Sequence, residues 1–216
     1  MNRGLFGGTF NPVHRGHIHV IRYVKELFAL DTVYLVPCAT PPHKEDTNLA
    51  PARIRLEMVE NAVKDLPGLV PSDIEIKRKG KSYTIDTINQ LKENFGNEDR
   101  LFLIMGSDAF LDIRSWKNSR EIFSKTPVIV MLRAGEKRKV KSLESFIKEV
   151  ISGDYRYEKR TGRFVHPLLE PVHVCSVPEI DISSTQIRNR IKQNMPTASM
   201  LSDSVEKIIR QKGLYI

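Results

Sequence analysis

Two imidazoles stand three residues apart behind a pair of glycines near the start of this chain: Gly7-Gly8-Thr9-Phe10-Asn11-Pro12-Val13-His14-Arg15-Gly16-His17. A short apolar stretch, Leu5-Phe6, precedes them. After them, Ile18, Val20, Ile21, Val24, Leu27 and Phe28 recur at three- and four-residue spacings, as on one face of a helix. The stretch therefore reads as a turn from a strand into a helix, with the histidines at the helix start. Unpaired N–H groups and a partial positive charge at such a place suit phosphate oxygens. Gly7 and Gly8 let backbone approach a ligand. Pro12 stiffens the turn, and Gly16 lets the chain pass close to whatever the histidines hold.

Other chemistries fit this stretch less well. A dinucleotide-binding turn needs G-x-G-x-x-G, which is absent, and no acidic residue ends the next strand candidate, Val33-Tyr34-Leu35-Val36. Gly80-Lys81-Ser82 imitates the end of a P-loop, but Glu75 stands where its first glycine belongs. The spacing of His14, His17 and His19 permits a metal site, yet no nearby cysteine or carboxylate completes a ligand set. A structural role for the histidines also stays open. A second candidate lies near the other end, Ile182-Ser183-Ser184-Thr185-Gln186-Ile187-Arg188. Ser183, Ser184 or Thr185 can cap a helix and present hydroxyls to an anion. Arg188, one turn later, offers a fork of donors that matches phosphate better than lysine does. Taken alone, such a serine-rich turn is usually a mere cap.

Together the two stretches resemble the signatures of the nucleotidyltransferase superfamily with an H-x-G-H motif, G-x-F-[DN]-P-x-H-x-G-H and I-S-[ST]-[ST]-x-I-R. Asn11 stands where many members have aspartate. Further stretches resemble the nicotinate mononucleotide adenylyltransferases of that superfamily: Pro41-Pro42-His43-Lys44, Ser82-Tyr83-Thr84-Ile85-Asp86-Thr87, Gly106-Ser107-Asp108-Ala109 with Ser115-Trp116-Lys117, and the ending Gly213-Leu214-Tyr215. The resemblance spans nearly the whole chain except 136–171. It implies a Rossmann-like nucleotidyltransferase fold and transfer of the adenylyl group of ATP to nicotinate mononucleotide. It also implies roles. Gly8, Thr9 and Phe10 line the mouth of the nucleotide site. His14, His17, Ser183, Ser184, Thr185 and Arg188 meet the ATP phosphates, and His17 matters most for turnover. Gly106 and Asp108 contact a ribose. Lys44 reaches the substrate phosphates. Thr84, Trp116 and Lys117 hold the pyridine end of the acceptor. The catalytic set is then His17, His14, Arg188 and Lys44. No carboxylate cluster is dedicated to a metal, so Mg²⁺ is expected to be held mainly by the ATP phosphates and water. Phosphopantetheine adenylyltransferases are shorter and lack the Ser-Trp-Lys stretch. Cytidylyltransferases differ in the C-terminal motif. A noncatalytic nucleotide sensor on the same fold is disfavoured by the intact H-x-G-H and Arg188.

These residues need a scaffold. With 216 residues the chain suits a single nucleotidyltransferase domain, whose stretch from about 182 to 216 forms a small C-terminal helical part. Hydrophobic residues make up 40% and charged ones 28%, as in ordinary globular proteins. The net charge of +8 suits small polyanionic substrates. No arginine-rich arm or interleaved aromatic platform points to nucleic acid. Two distant cysteines, Cys38 and Cys175, exclude a disulfide framework and a C-x-x-C motif. Neither a signal peptide nor a membrane span is found, so a cytoplasmic chain without nucleic-acid or membrane partners is expected. A homo-oligomer is left open.

Strand and helix patterns alternate along the chain. Strands are expected at 32–36, 101–105, 128–132 and 172–175. The runs Leu101-Phe102-Leu103-Ile104-Met105 and Val128-Ile129-Val130-Met131-Leu132 are continuously apolar, as in strands covered on both sides. Ile74 and Ile76 alternate with charged residues and predict a half-exposed strand. Helices are expected over 52–63, from Thr84 onward with Ile85, Ile88 and Leu91 on one face, over 143–151, from the serine-rich turn at 182–188 onward, and over 202–211. The segment 136–141 reads as a charged loop, and 152–171 as an insertion, a hairpin or an interface element. The whole predicts an α/β fold with a doubly wound parallel sheet.

Overall fold

A computed structural model describes residues 1–41, 49–78, 80–96, 98–133 and 139–216. The chain begins with β1 (Asn2–Gly8), α1 (Arg15–Leu27), β2 (Thr32–Pro37), α2 (Ala52–Val63), β3 (Leu69–Pro71) and α3 (Ile74–Arg78). It continues through α4 (Thr84–Glu93), β4 (Arg100–Gly106), α5 (Ser107–Leu111), α6 (Ser119–Lys125) and β5 (Val128–Arg133). Then come α7 (Lys139–Phe146), β6 (Arg156–Glu158), β7 (Arg163–Val165), β8 (Val172–Val177), α8 (Ser184–Lys192) and α9 (Asp203–Gln211). The residues group into two compact units, one holding 1–6 and 83–179, the other 7–82 and 180–216.

The first unit is built on a sheet in the order β1-β4-β5-β8-β7-β6. Its first four strands are parallel. Their apolar runs are buried from Leu101 to Met105 and from Val128 to Leu132, because helices cover a parallel sheet. The last two strands are antiparallel, so the stretch 152–171 contains a hairpin. Ile85, Thr87, Ile88 and Leu91 form the buried stripe of α4. The predicted helix over 143–151 is α-helical to Phe146 and widens into a π-helical turn over Ile147–Ile151. Helix α7 already starts at Lys139, inside the expected charged loop, whose residues before 139 lie outside the described ones.

In the second unit β2 and β3 pair in parallel. Helix α1 buries Ile21 and Val24, α2 buries Met58, Val59 and Val63, and α9 packs its Val205, Ile208 and Ile209 stripe against α2. One expectation fails here. The stretch from Ile74 to Arg78 is a helix, not a strand, and the strand of this region is β3, just upstream. Two isoleucines are too few to fix a period. The Ser72 hydroxyl and the Asp73 carbonyl accept from the N–H groups of Ile74 and Lys77, and Asp73 pairs with Lys77 one turn on at 3.0 Å. The short helices α5 and α6 escaped the sequence reading because five and seven residues carry too little periodicity. Among the described residues no helix is long and apolar enough to cross a membrane.

Candidate active site

The turn after β1 is held by its own side chains. Phe10 has φ 48° and is 2% exposed, a left-handed conformation that is costly for a bulky residue and typical of functional sites. Its ring lies over Gly8, where a β-carbon would stand 3.1 Å from the ring. A β-carbon on Gly16 would come within 2.9 Å of His14 Nδ1. These two glycines therefore make room for aromatic rings of the protein itself, a stricter demand than the ligand approach expected from the sequence.

Helix α1 starts with an unusual reciprocal cap. His14 Nδ1 accepts from the His17 N–H and His17 Nδ1 accepts from the His14 N–H, both at 3.3 Å. The two rings stack with centroids 3.7 Å apart, and Phe10 meets His17 edge-on at 5.2 Å. An Nδ1 that accepts leaves the ring proton on Nε2. Burial draws the His14 pKa down to about 4. Burial, and then repulsion from His14, holds His17 well below the ordinary histidine value. At neutral pH both rings are thus neutral, with Nε2–H groups as donors.

His17 lines a cleft of about 230 Å³ with Thr9, Phe10, Asn11, Pro41, Leu49, Ser184, Thr185 and Arg188. The C-terminal motif reaches it because α8 is docked on the N-terminal turn. Ser183 caps α8 and exchanges hydrogen bonds with Gln186. The Ser184 hydroxyl donates to the Pro12 carbonyl at 2.8 Å and Arg188 Nη1 donates to the Asn11 carbonyl at 2.9 Å. Arg188 Nη2 reaches Thr185 Oγ1 at 3.4 Å. Asn11, 3% exposed, is a junction: its Oδ1 accepts from the Ala50 N–H at 3.0 Å and from the Tyr215 hydroxyl at 2.7 Å.

Of the residues singled out from the sequence, Gly8, Thr9, Phe10, His17, Ser184, Thr185 and Arg188 come together in this unit at or beside the cleft. Ser183 serves as the cap. His14 supports His17 and lines a second cavity, of about 550 Å³, with Arg15, His19, Arg22, Asn61 and Ser202 among its walls. Lys44 lies outside the described residues. In the other unit Gly106 closes β4 and caps α5, and a β-carbon there would meet nothing. Asp108 follows in the first turn of α5, 3.8 Å from Arg133 at an exposed position. These residues stand at the carboxyl ends of adjacent parallel strands, where open α/β sheets bind ligands. Thr84 opens α4, and the capping residue Tyr83 supplies no side-chain bond to that helix start. Trp116 is half-buried rather than part of the core. Lys117 Nζ contacts both Asp86 oxygens at 3.1 Å and lies 4.8 Å from the centre of the Tyr83 ring.

Three residues that brace the cleft turn were given no role by the sequence reading: Asn11, Tyr215 and Arg55. Arg55 left a trace. It lies three and four residues before Met58 and Val59 on α2, hence on the buried face, where a lone arginine needs an explanation.

The donor chemistry of the cleft fits a polyanion. Imidazole N–H, hydroxyl and guanidinium groups line it, and among the described residues no group of three His, Cys, Asp or Glu is arranged to hold a metal ion. These residues fit a nucleotide that brings its own divalent cation on its phosphates.

Comparison with known proteins shows the family. The family model described as Cytidylyltransferase-like matches residues 5–190, and the chain belongs to the cytidylyltransferase-like family. Within it, the chain is 40% identical over 220 residues to a probable nicotinate-nucleotide adenylyltransferase of Desulfatibacillum aliphaticivorans, with the full length of both covered. It is 37% identical to the protein of the same description from Citrifermentans bemidjiense, covering 100% of this chain and 99% of the relative. Among solved structures, Plasmodium falciparum nicotinic acid mononucleotide adenylyltransferase complexed with NaAD superimposes with a TM-score of 0.74 at 19% identity, covering 99% of this chain and 97% of that one. That likeness shows a common α/β fold.

Proposed function

We infer that this chain transfers the adenylyl group of ATP to nicotinate mononucleotide, giving nicotinate adenine dinucleotide and pyrophosphate in NAD biosynthesis. The observation that carries the site assignment is the convergence of two motifs far apart in sequence. Ser184 and Arg188 bond to Pro12 and Asn11, 172 and 177 residues away, beside the same cleft as His17. The relatives' descriptions support the reaction.

The chemistry asks mainly for positioning. A phosphate oxygen of the mononucleotide attacks the α-phosphorus of ATP, a P–O bond forms, and the bond from that phosphorus to the bridging oxygen breaks. A phosphate monoester is already largely dianionic at pH 7, its second pKa being about 6, so no general base is needed. Two polyanions must be brought in line while charge grows on the leaving group. His17 donates Nε2–H to phosphate oxygens, and His14 holds its ring. Arg188, Ser184 and Thr185 take the outer phosphates, with Lys44 as a further cation. Gly8, Thr9 and Phe10 shape the mouth, and Gly106 and Asp108 take a ribose. Mg²⁺ on the triphosphate neutralises charge when bound. Thr84 meets the acceptor carboxylate at the start of α4, Trp116 stacks on the flat pyridine, and Lys117, paired with Asp86, borders the pyridine end. In this reading 1–216 acts as one catalytic domain in the cytoplasm, with small molecules as its partners.

The test is pyrophosphate release from ATP with nicotinate mononucleotide, nicotinamide mononucleotide or phosphopantetheine. The acid acceptor is expected to exceed the amide by about tenfold to a few hundredfold in kcat/KM. An amide NH₂ facing backbone donors leaves a group unsatisfied, at about 1–3 kcal/mol. Equal use of both mononucleotides overturns the roles of Thr84 and Trp116. Release with none of the three overturns the reaction.

A further inference from the structure

We propose that Arg55 is a positioning residue for adenylyl transfer, holding one wall of the nucleotide cleft from behind; this rests on the function proposed above. Arg55 is 0% exposed. Its Nε donates to the Ala50 carbonyl at 2.8 Å, Nη1 to the Thr9 carbonyl at 2.7 Å and to Cys38 Sγ at 3.8 Å, and Nη2 to the Ala39 carbonyl at 3.2 Å. All four acceptors are uncharged. A buried guanidinium that meets only neutral acceptors is an expensive way to fill a core. The location of its partners supplies the reason.

The three carbonyls belong to three separate segments, and each segment supplies a wall residue. Thr9 itself lines the cleft, Pro41 lies two residues after Ala39, and Leu49 lies one residue before Ala50. The planar fork alone spans three directions at fixed angles, so one side chain sets the mutual spacing of three wall segments. The segments are further tied to one another, since the Cys38 N–H donates to the Gly8 carbonyl at 2.9 Å. None of the hydrogen bonds of Arg55 goes to the opposing groups, His17, Ser184 and Arg188. Loss of the fork therefore shifts one wall against catalytic groups that stay in place. Displacements on the order of 1 Å cost about a hundredfold in such reactions.

The experiment compares wild type, Arg55→Lys, Arg55→Gln and, as a control on the exposed face of α2, Arg53→Gln. Melting temperature, ATP KM, kcat and the rise in melting temperature on adding ATP are measured for each. Arg55→Lys is expected to be folded at the assay temperature, with kcat/KM for ATP down about tenfold to a hundredfold and a smaller ATP-induced rise. Arg53→Gln is expected to match wild type. A folded Arg55→Lys or Arg55→Gln with wild-type KM and kcat overturns the proposal. If both variants fail to fold, Arg55 serves folding rather than the cleft, and the proposal is equally overturned. The ATP-induced rise needs no turnover. A wild type that is stabilised by ATP but releases no pyrophosphate refutes the proposed function and leaves the Arg55 comparison readable.

Discussion

Asn11→Ala is expected to remove a junction between the cleft and the end of the chain. The Asn11 Oδ1 accepts two hydrogen bonds, from the Ala50 N–H and the Tyr215 hydroxyl, at a position 3% exposed. Truncation leaves both donors without that acceptor. Each orphaned buried donor costs about 1–3 kcal/mol, so the loss sums to about 2–6 kcal/mol. Typical domains have about 5–15 kcal/mol in total. Tyr215→Phe removes only one donor and leaves Oδ1 bonded to Ala50, for a loss of about 1 kcal/mol. Urea denaturation of wild type, both single variants and the double variant closes a cycle. In the double variant the Tyr215 donor is gone, so the combined loss should fall short of additive by about 0.5–3 kcal/mol. Asn11→Asp keeps an acceptor for both donors but buries a carboxylate, so its loss is expected to be smaller than that of Asn11→Ala. Turnover should follow stability only in part, because the Asn11 carbonyl also seats Arg188. An Asn11→Ala protein within 0.5 kcal/mol of wild type, about the scatter of an ordinary surface substitution, or strict additivity with Tyr215→Phe, refutes the junction.

Two further outcomes are expected. Arg188→Lys keeps the charge but cannot donate to the Asn11 carbonyl and to a phosphate through one rigid fork; ATP KM should rise about tenfold or more, as for the loss of a charge-assisted bond, and unchanged KM and kcat together would reduce Arg188 to a helix ornament. For pH, His14 titrates at about 4 in the fold against 6.5 in the unfolded chain, so the unfolded state binds more protons in between. Stability is then full above about pH 6.5 and falls by about 3 kcal/mol as the pH drops to 4. The urea midpoint of wild type should decline over that window more steeply than that of His14→Gln, and parallel declines would reject the assignment.

Much of this is legible in the residue order itself. Helix α1 and helix α2 match their apolar periods, and the sheet strands β4 and β5 match their continuous apolar runs, because burial on one face or on both is written directly into residue order. Both motifs were legible for another reason: each is local, and its neighbours in sequence are its neighbours in space. What stayed hidden depends on distance or on brevity. The helix at Ile74 is decided by one turn of backbone hydrogen bonds and an i,i+4 ion pair. The contacts of Tyr215 with Asn11 and of Arg55 with Thr9 join residues 204 and 46 positions apart, and no spacing rule connects them. What Gly8 and Gly16 leave room for, the rings of Phe10 and His14, was also hidden, since sequence shows that a β-carbon is missing and not what occupies its space.

The two histidines carry the same lesson into the chemistry. A pair of imidazoles at a helix start invites a reading as cations that attract phosphate. Stacking them 3.7 Å apart and burying them makes a charge on either one costly. The reciprocal cap spends both Nδ1 atoms on backbone N–H groups and so turns both Nε2 atoms into fixed donors. A neutral donor whose orientation is set in advance needs no reorganisation as charge develops on a leaving group. It also gives up no proton that would have to be restored. On the proposed function, the positive charge at the cleft then comes from elsewhere: from Arg188 at its edge, from Lys44, and from the helix start. This division, with neutral donors for geometry and a braced arginine for charge, gives the two histidines of one turn, and the glycine clearance beside their rings, a role in the proposed reaction.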